Sequence, residues 1–305
     1  MQAVAGIDIY GDTVRYAEVQ SQGEGVYRLR RLGSCDFAFD VADELLHGDD
    51  TQHTDVLTNA LRDVFAGTEA TTLRIALHPT DAYAFFTLVG EATSDAQRQE
   101  QMAQEAALLA EVSSPDTLHV TSEAVRTDTL SDGRSVEWMH VLALPTPVQE
   151  RLAAAVRPLP HERHEWLLTT QGTARVAEWM AAREEAPSEA TPYTLVIGRY
   201  ANHAEYVVLQ NGSWHFGHHA VTRSPADCAY YGVALLERLD IPFDAVGRVR
   251  VYGEDVASAD LAPLESVVGT EPAPLDPLPV VGLTPADLQN DIRPEMYVPC
   301  VGVTL

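Results

Sequence analysis

The stretch Tyr193-Thr194-Leu195-Val196-Ile197-Gly198-Arg199-Tyr200-Ala201-Asn202-His203-Ala204-Glu205-Tyr206-Val207-Val208-Leu209-Gln210-Asn211-Gly212 decides the fold. Residues 193–197 read as an apolar strand, 198–202 as a turn and 203–210 as a second strand. Asn211-Gly212 is a pair that tight hairpins select, because both turn positions need positive φ. Residues 213–220 return as a third strand. Ser224-Pro225-Ala226-Asp227 then opens a helix with a capping serine, a first-turn proline and an acid three residues on. That helix runs to about residue 239, and 248–252 follow as a buried strand. The start of the chain has the same order: strands at 3–9, 13–20 and 26–37, turns at Gly11-Asp12 and 21–25, an amphipathic helix at 55–65 capped by Thr54, and a short strand at 73–77. The unit strand–strand–strand–helix–strand therefore occurs twice, at about 3–77 and 193–252, with little sequence identity between the copies.

A different unit interrupts the first copy. A strand at 82–90, a helix from Ser94 and Asp95 to about Glu111, strands at 118–126 and 135–143 around Ser131-Asp132-Gly133, and a helix at 146–156 form a small α+β insertion. A strand at 166–169 and a helix at 171–183 lead into the polar, Pro-containing stretch 184–192, which reads as a linker. The expected division is 1–80 with 157–185 as a first subdomain, 81–156 as the insertion, and 193–305 as a second subdomain. Pro272, Pro274, Pro277 and Pro279 predict a tail extended across the surface. Pro299 argues against a full helix at the C-terminal end.

The chain of 305 residues carries 45 acidic and 20 basic residues, a formal charge of −25, and every basic residue is Arg. Such a balance repels phosphate backbones and anionic membrane surfaces, so nucleic-acid binding and direct membrane insertion are not expected. No apolar run reaches the ~18 residues of a membrane span, and the first residues lack the pattern of a signal peptide. Cys35, Cys228 and Cys300 are few and far apart, which predicts a reducing compartment and neither a disulfide framework nor a zinc site. The expected location is cytoplasmic. Absent Lys beside surplus Asp and Glu reads as adaptation to a salty cytoplasm, where a carboxylate-rich surface stays hydrated and its repulsion is screened.

Gly6-Ile7-Asp8-Ile9 followed by Thr13-Val14-Arg15-Tyr16-Ala17-Glu18-Val19 resembles the opening strand pair of the type IV pilus assembly proteins of the PilM type. These belong to the actin-like ATPase superfamily and are related to the actin-like cell-division protein and the L-type component of type II secretion. The helix beginning Asp95-Ala96-Gln97-Arg98-Gln99-Glu100-Gln101-Met102 is placed like that family's acidic insertion helix. Residues 195–212 and 229–240 are similar to its second phosphate hairpin and the helix after it. The resemblance implies an α/β, duplicated actin-like (ribonuclease-H-like) fold with an α+β insertion in the first half.

In that fold two tight turns present backbone N–H groups to nucleotide phosphates, and an acid from each helps to hold hydrated magnesium. By this resemblance the nucleotide-binding residues, if binding is retained, are Asp8, Gly11, Asp12, Gly198, Arg199 and Gly253. Departures are evident. Tyr10 stands where the family has Gly, Val196 replaces its second Asp, Arg199 and Tyr200 replace small residues, and Gly253 is single and followed by Glu254-Asp255. The site therefore reads as degenerate, with no catalytic residues and no bound cofactor expected; ATP and Mg2+ would be the cofactors if one is retained.

The run His215-Phe216-Gly217-His218-His219 splits its imidazoles between two strand faces and has no neighbouring carboxylate, so exposed hairpin histidines are expected rather than a metal site. His161 and His164 are expected in a solvated loop. The leading expectation is a cytoplasmic scaffold of a pilus or type II secretion-like machine, peripheral to the inner membrane. By resemblance it would bind a short cytoplasmic peptide of an inner-membrane assembly protein, in a groove between 82–111 and the first sheet lined by Phe85, Phe86 and Leu88. Self-association into a homo-oligomer is a further implication. An active Mg-ATP-dependent ATPase or small-molecule kinase is the alternative.

Overall fold

Two five-stranded sheets of identical order carry the repeat. In the computed structural model, which describes residues 2–23, 25–48, 51–184, 190–254, 256, 258–284 and 292–305, the first sheet is ordered β3-β2-β1-β4-β8. Its strands are β1 (Ala3–Tyr10), β2 (Thr13–Gly23), β3 (Val26–Asp36), β4 (Thr72–Leu77) and β8 (Arg163–Leu168). The second sheet is ordered β11-β10-β9-β12-β13, from β9 (Tyr193–Arg199), β10 (His203–Gln210), β11 (Ser213–Val221), β12 (Val246–Gly253) and β13 (Pro272–Pro274). In both sheets the first three strands form an antiparallel meander and the next two join in parallel. The duplicated α/β fold is thus present down to strand order. The expected linker at 184–192 falls mostly outside the described residues, as do Asp255 and Glu185.

Strand parity sorts the side chains into three cores. Ala5, Ile7 and Ile9 turn outward under helices α1 (Val41–His47), α2 (Thr51–Val64) and α4 (Thr146–Val156). Leu195, Ile197, Tyr206 and Val208 pack in the same way under α6 (Pro225–Arg238) and α7 (Ala262–Val268). The opposite faces meet in a shared core, where Ala17, Val19, Val196 and Val207 enclose α5 (Thr169–Ala181) and the short α8 (Val298–Gly302).

The insertion is a β5-β7-β6 antiparallel sheet, from β5 (Tyr83–Gly90), β6 (Leu118–Thr129) and β7 (Ser135–Pro145), covered by α3 (Asp95–Leu109). Ser94 and Gln97 close a reciprocal capping box at the start of α3.

Two expectations need correction. Residues 41–47 form a helix where a connection between strand and helix is expected; the Asp40 side chain accepts from Asp43 N–H at 2.8 Å, and Gly11 O accepts from Val41 N–H at 2.7 Å. The Pro-rich tail is not a surface ribbon. Leu275, Leu278, Val280 and Val281 are buried, and β13 is a sheet edge on which Leu275 N–H reaches Val251 O at 2.8 Å. Alternation then turns the imino positions of Pro272 and Pro274 away from β12, where an edge strand tolerates them. At the C-terminal end Pro299 sits in the first turn of α8, where no intrahelical N–H is needed, and the helix is only five residues long, in keeping with the expectation that no full helix forms there.

Candidate functional site

The inward faces of β1, β2 and β10 place Asp8, Tyr10, Arg15, His203 and Glu205 between the halves, directly below the turns expected to hold phosphate. His78, one residue beyond β4, completes the group from the first half. Asp8, His78, His203 and Glu205 are all fully buried. His78 Nε2–H donates to Asp8 Oδ1 at 3.1 Å, and its Nδ1 lies 2.9 Å from Glu205 Oε1. His203 Nε2 is 3.2 Å from the same oxygen and 3.1 Å from His78 Nδ1. Thr169 Oγ1 donates to Glu205 Oε1 at 2.6 Å, and the Tyr252 hydroxyl donates to Oε2 at 2.5 Å. One carboxylate from the second half is thereby tied to both halves.

Burial disfavours charge on every member, yet the cluster holds it through close partners. Burial alone would push the His78 imidazole down; its hydrogen bonds to Asp8 and Glu205, and their charges, lift it instead to about 10. Burial would likewise raise the Glu205 carboxyl, but contacts with His203 and His78 outweigh it and hold the group well below the usual carboxylate range. Arg15 lies 4.0 Å from Asp8 Oδ2 and pairs with Glu254 Oε1 at 3.1 Å, a second bridge between the halves.

Above these polar atoms the two turns touch. The Tyr10 hydroxyl accepts from Ala201 N–H at 2.9 Å and donates to Asn202 Oδ1 at 3.2 Å. Burial, then the charge of Glu254, pushes that hydroxyl up to about 12, so it stays protonated and able to donate. Tyr200 stacks on His203 with ring centroids 4.7 Å apart and 10° between planes, and Tyr10 packs against Tyr200 at 4.9 Å. Outside this contact a cavity of about 730 Å3 opens, and four of its lining residues are Asp12, Asp40, Asp43 and Asp81.

The expected nucleotide residues are brought to this cleft but are engaged with protein partners. Asp8 faces His78; Gly11 O accepts from Val41 and Ala42 N–H; Asp12 accepts from the Thr13 hydroxyl at 3.2 Å. Gly198 lies beneath the Tyr252 ring, and Arg199 pairs with Asp260 at 3.0 Å. Gly253 sits at φ +100°, and a Cβ there would fall 2.4 Å from Arg199 O, so close backbone approach accounts for this glycine.

The three expected groove residues are split by strand parity. Phe85 packs under α3 with Met102 nearby, Phe86 faces the second half, and Leu88 is 39% exposed. The Phe86 ring stacks on His140 at 4.5 Å and on Phe216 at 4.6 Å. Phe85 and Phe86 both line a cavity of about 600 Å3, together with Trp138, His140, Phe216 and Leu239. This cavity lies between the insertion and the second half, whereas the groove was expected against the first sheet.

The remaining histidines are less solvated than expected. His215, His218 and His219 are half-buried, with His215 against Arg126, and burial pushes His215 and His218 down to about 4. His161 is buried against Phe65 with ring centroids 5.0 Å apart, because the loop that carries it folds over the helix. Sequence reasoning missed His78, His203 and Glu205. The His203-x-Glu205 spacing on a strand puts both on one face and was the available signal, but nothing local pairs them with a residue 125 positions earlier.

The duplicated sheets with a cleft between them define an actin-like ATPase fold. Among solved structures, the chain superposes on a "PilM-PilN type IV pilus biogenesis complex" with a TM-score of 0.68 and 14% identity, covering 99% of this chain and 97% of that one. It also matches a Bacteroides thetaiotaomicron protein of actin-like ATPase fold and unknown function (TM-score 0.51, 10% identity, 90% of each chain). A third match is the ethanolamine utilization protein EutJ from Carboxydothermus hydrogenoformans (TM-score 0.50, 10% identity, 100% of this chain and 89% of that one). No protein-family model and no curated protein matches the chain. Among the described residues no helix is long and apolar enough to cross a membrane.

Proposed function

We propose that this chain is a non-catalytic, actin-like scaffold of a pilus- or secretion-type machine. It works at the cytoplasmic side of the inner membrane and holds a short peptide of a membrane-anchored partner. The observation that carries this reading is the contact between the two turns. A polyphosphate would need the Ala201 N–H that Tyr10 already occupies, and it would enter past four aspartates whose charge repels it. Mg-ATP does not fit the residues as they stand. The fold shared with the PilM–PilN complex supports a partner-binding role, and the aromatic cavity between insertion and second half offers apolar pockets for alternate side chains of an extended segment.

Calorimetry with Mg-ATP and Mg-ADP in high-salt buffer tests the reading. No binding heat is expected from folded protein; micromolar affinity with turnover would replace the scaffold by an ATPase or kinase. In a second arm, the full chain should retain a single-span inner-membrane protein from host membranes. Leu109→Asp, at the 49%-exposed rim of the cavity, should lose it. Retention unchanged by that substitution removes the cavity from the proposal.

A further inference from the structure

Three atoms that can ligate a cation converge in the buried cleft: His78 Nδ1, His203 Nε2 and Glu205 Oε1, with mutual separations of 2.9, 3.1 and 3.2 Å. Their surroundings fix the protons. His78 gives its Nε2–H to the Asp8 carboxylate, which can only accept, so in the neutral ring Nδ1 carries the lone pair. Tyr10 accepts from Ala201 N–H and directs its own proton to Asn202 Oδ1, which orients that amide with its oxygen toward His203. His203 Nδ1 lies 2.7 Å from this oxygen and donates to it, so in the neutral ring Nε2 carries the lone pair. Glu205 is held by the Thr169 and Tyr252 hydroxyls. In the metal-free cluster a shared proton holds the inner atoms at hydrogen-bond distance; a cation that displaces it meets three lone pairs, on side chains each oriented by an outer hydrogen bond. Imidazoles that give the outer N–H to a carboxylate or amide oxygen and turn the inner nitrogen to a shared point are the arrangement found around bound metals.

We propose that His78, His203 and Glu205 bind one divalent transition-metal ion of the zinc class, which joins the two halves of the molecule across the cleft. The donor set of two imidazoles and one carboxylate suits a borderline cation, and bonds of about 2.0–2.1 Å in a tetrahedral site set ligand atoms about 3.3 Å apart, close to the separations here. Calcium and magnesium prefer all-oxygen shells. Among the described residues no other group of three or more His, Cys, Asp or Glu side chains brings its ligand atoms this close together. His78 follows the end of β4 and the other two lie on β10, so the ion would cross-link the two halves. The proposal goes beyond the scaffold reading and stands or falls separately from partner binding.

The full chain is stripped with a chelator, incubated with Zn2+ or Co2+, desalted, and assayed for metal content. One equivalent per chain is expected, with a rise in Tm of about 4 °C at ~100 times Kd. The Co2+ form should show the intense visible absorption of a four-coordinate site. His203→Ala and Glu205→Gln should each weaken retention at least tenfold, while the His218→Ala/His219→Ala double variant keeps it. No retained metal and no Tm shift overturn the proposal and leave a proton shared among His78, His203 and Glu205. Retention that survives His203→Ala and disappears in the double variant also overturns it. If His203→Ala does not fold, the wild-type Co2+ spectrum decides: a pale six-coordinate spectrum with unchanged Tm counts against the site, an intense four-coordinate one for it.

Discussion

His140 shows how one buried side chain can write a pH dependence into the whole fold. It is 3% exposed, its ring lies between Phe86 and Trp214, and burial, then the charge of His219, pushes it down to about 3. In the unfolded chain the same imidazole titrates near 6.5. The folded form thus refuses a proton that the unfolded form accepts between those two values. Its stabilising contribution is complete above pH ~6.5 and is lost progressively as the pH falls toward 3. Between pH 6.5 and 4.5 the loss from this residue is on the order of 2 kcal/mol. His161, His215 and His218, also pushed down by burial, act in the same direction. Urea titrations at pH 7 and 4.5 on wild type and His140→Gln check this: the variant should lose less stability on acidification, and parallel losses would refute it. None of this was legible in the sequence, where His140 is one polar residue in an alternating strand. Burial came from Phe86 and Trp214, which belong to other elements, one of them in the other half.

At the scale of elements, the segments that periodicity and turn chemistry specify were legible, and those that tertiary packing specifies were not. The hairpin at Asn211-Gly212, the capping box before α3 and the Ser224-Pro225 helix start all carry local signals that the structure obeys. β13 and α8 carry none: β13 is Pro-Ala-Pro, and α8 is a five-residue helix whose partners α5 and β1 lie far along the chain. Yet α8 is an integral part of the core: Val298, Cys300 and Val301 are fully buried between the halves. Its approach to α5 runs backbone against backbone, and a Cβ on Gly302 would fall 2.1 Å from Gly172 O. Neither helix can yield without moving the sheet beneath it. Gly302→Ala is therefore expected to cost about 1–3 kcal/mol through overpacking, read as a lower urea midpoint at unchanged slope. A midpoint equal to wild type would show that α8 can shift and is not fixed by this contact.

Charge is the property of the whole molecule that the sequence states most directly and that the fold makes specific. Arginine is the sole basic residue type, and the structure spends it on pairs: Arg15 with Glu254, Arg74 with Glu165, Arg175 with Glu123, Arg199 with Asp260, and Arg250 with Glu184. Those pairs join elements and halves, so cations are drawn into bridges and the excess of 25 negative charges is left as net self-repulsion. Repulsion of this kind is governed by ionic strength, because the screening length falls from about 30 Å at ~0.01 M salt to about 3 Å at ~1 M. At low salt every surface carboxylate feels many others across the molecule; at high salt it feels only its neighbours. Unfolding spreads the same charges over a larger volume and relieves the repulsion, so the folded state gains more from salt than the unfolded one. Thermal melts in KCl from about 0.02 to 2 M should therefore rise by several degrees or more, steeply at first. Substituting a few exposed acids by Gln or Asn should raise the low-salt Tm while leaving the high-salt value unchanged. A Tm independent of salt over that range would mean that the arginine bridges, rather than screening, already balance the charge, and the reading of the composition as adaptation to a salty cytoplasm would have to be given up.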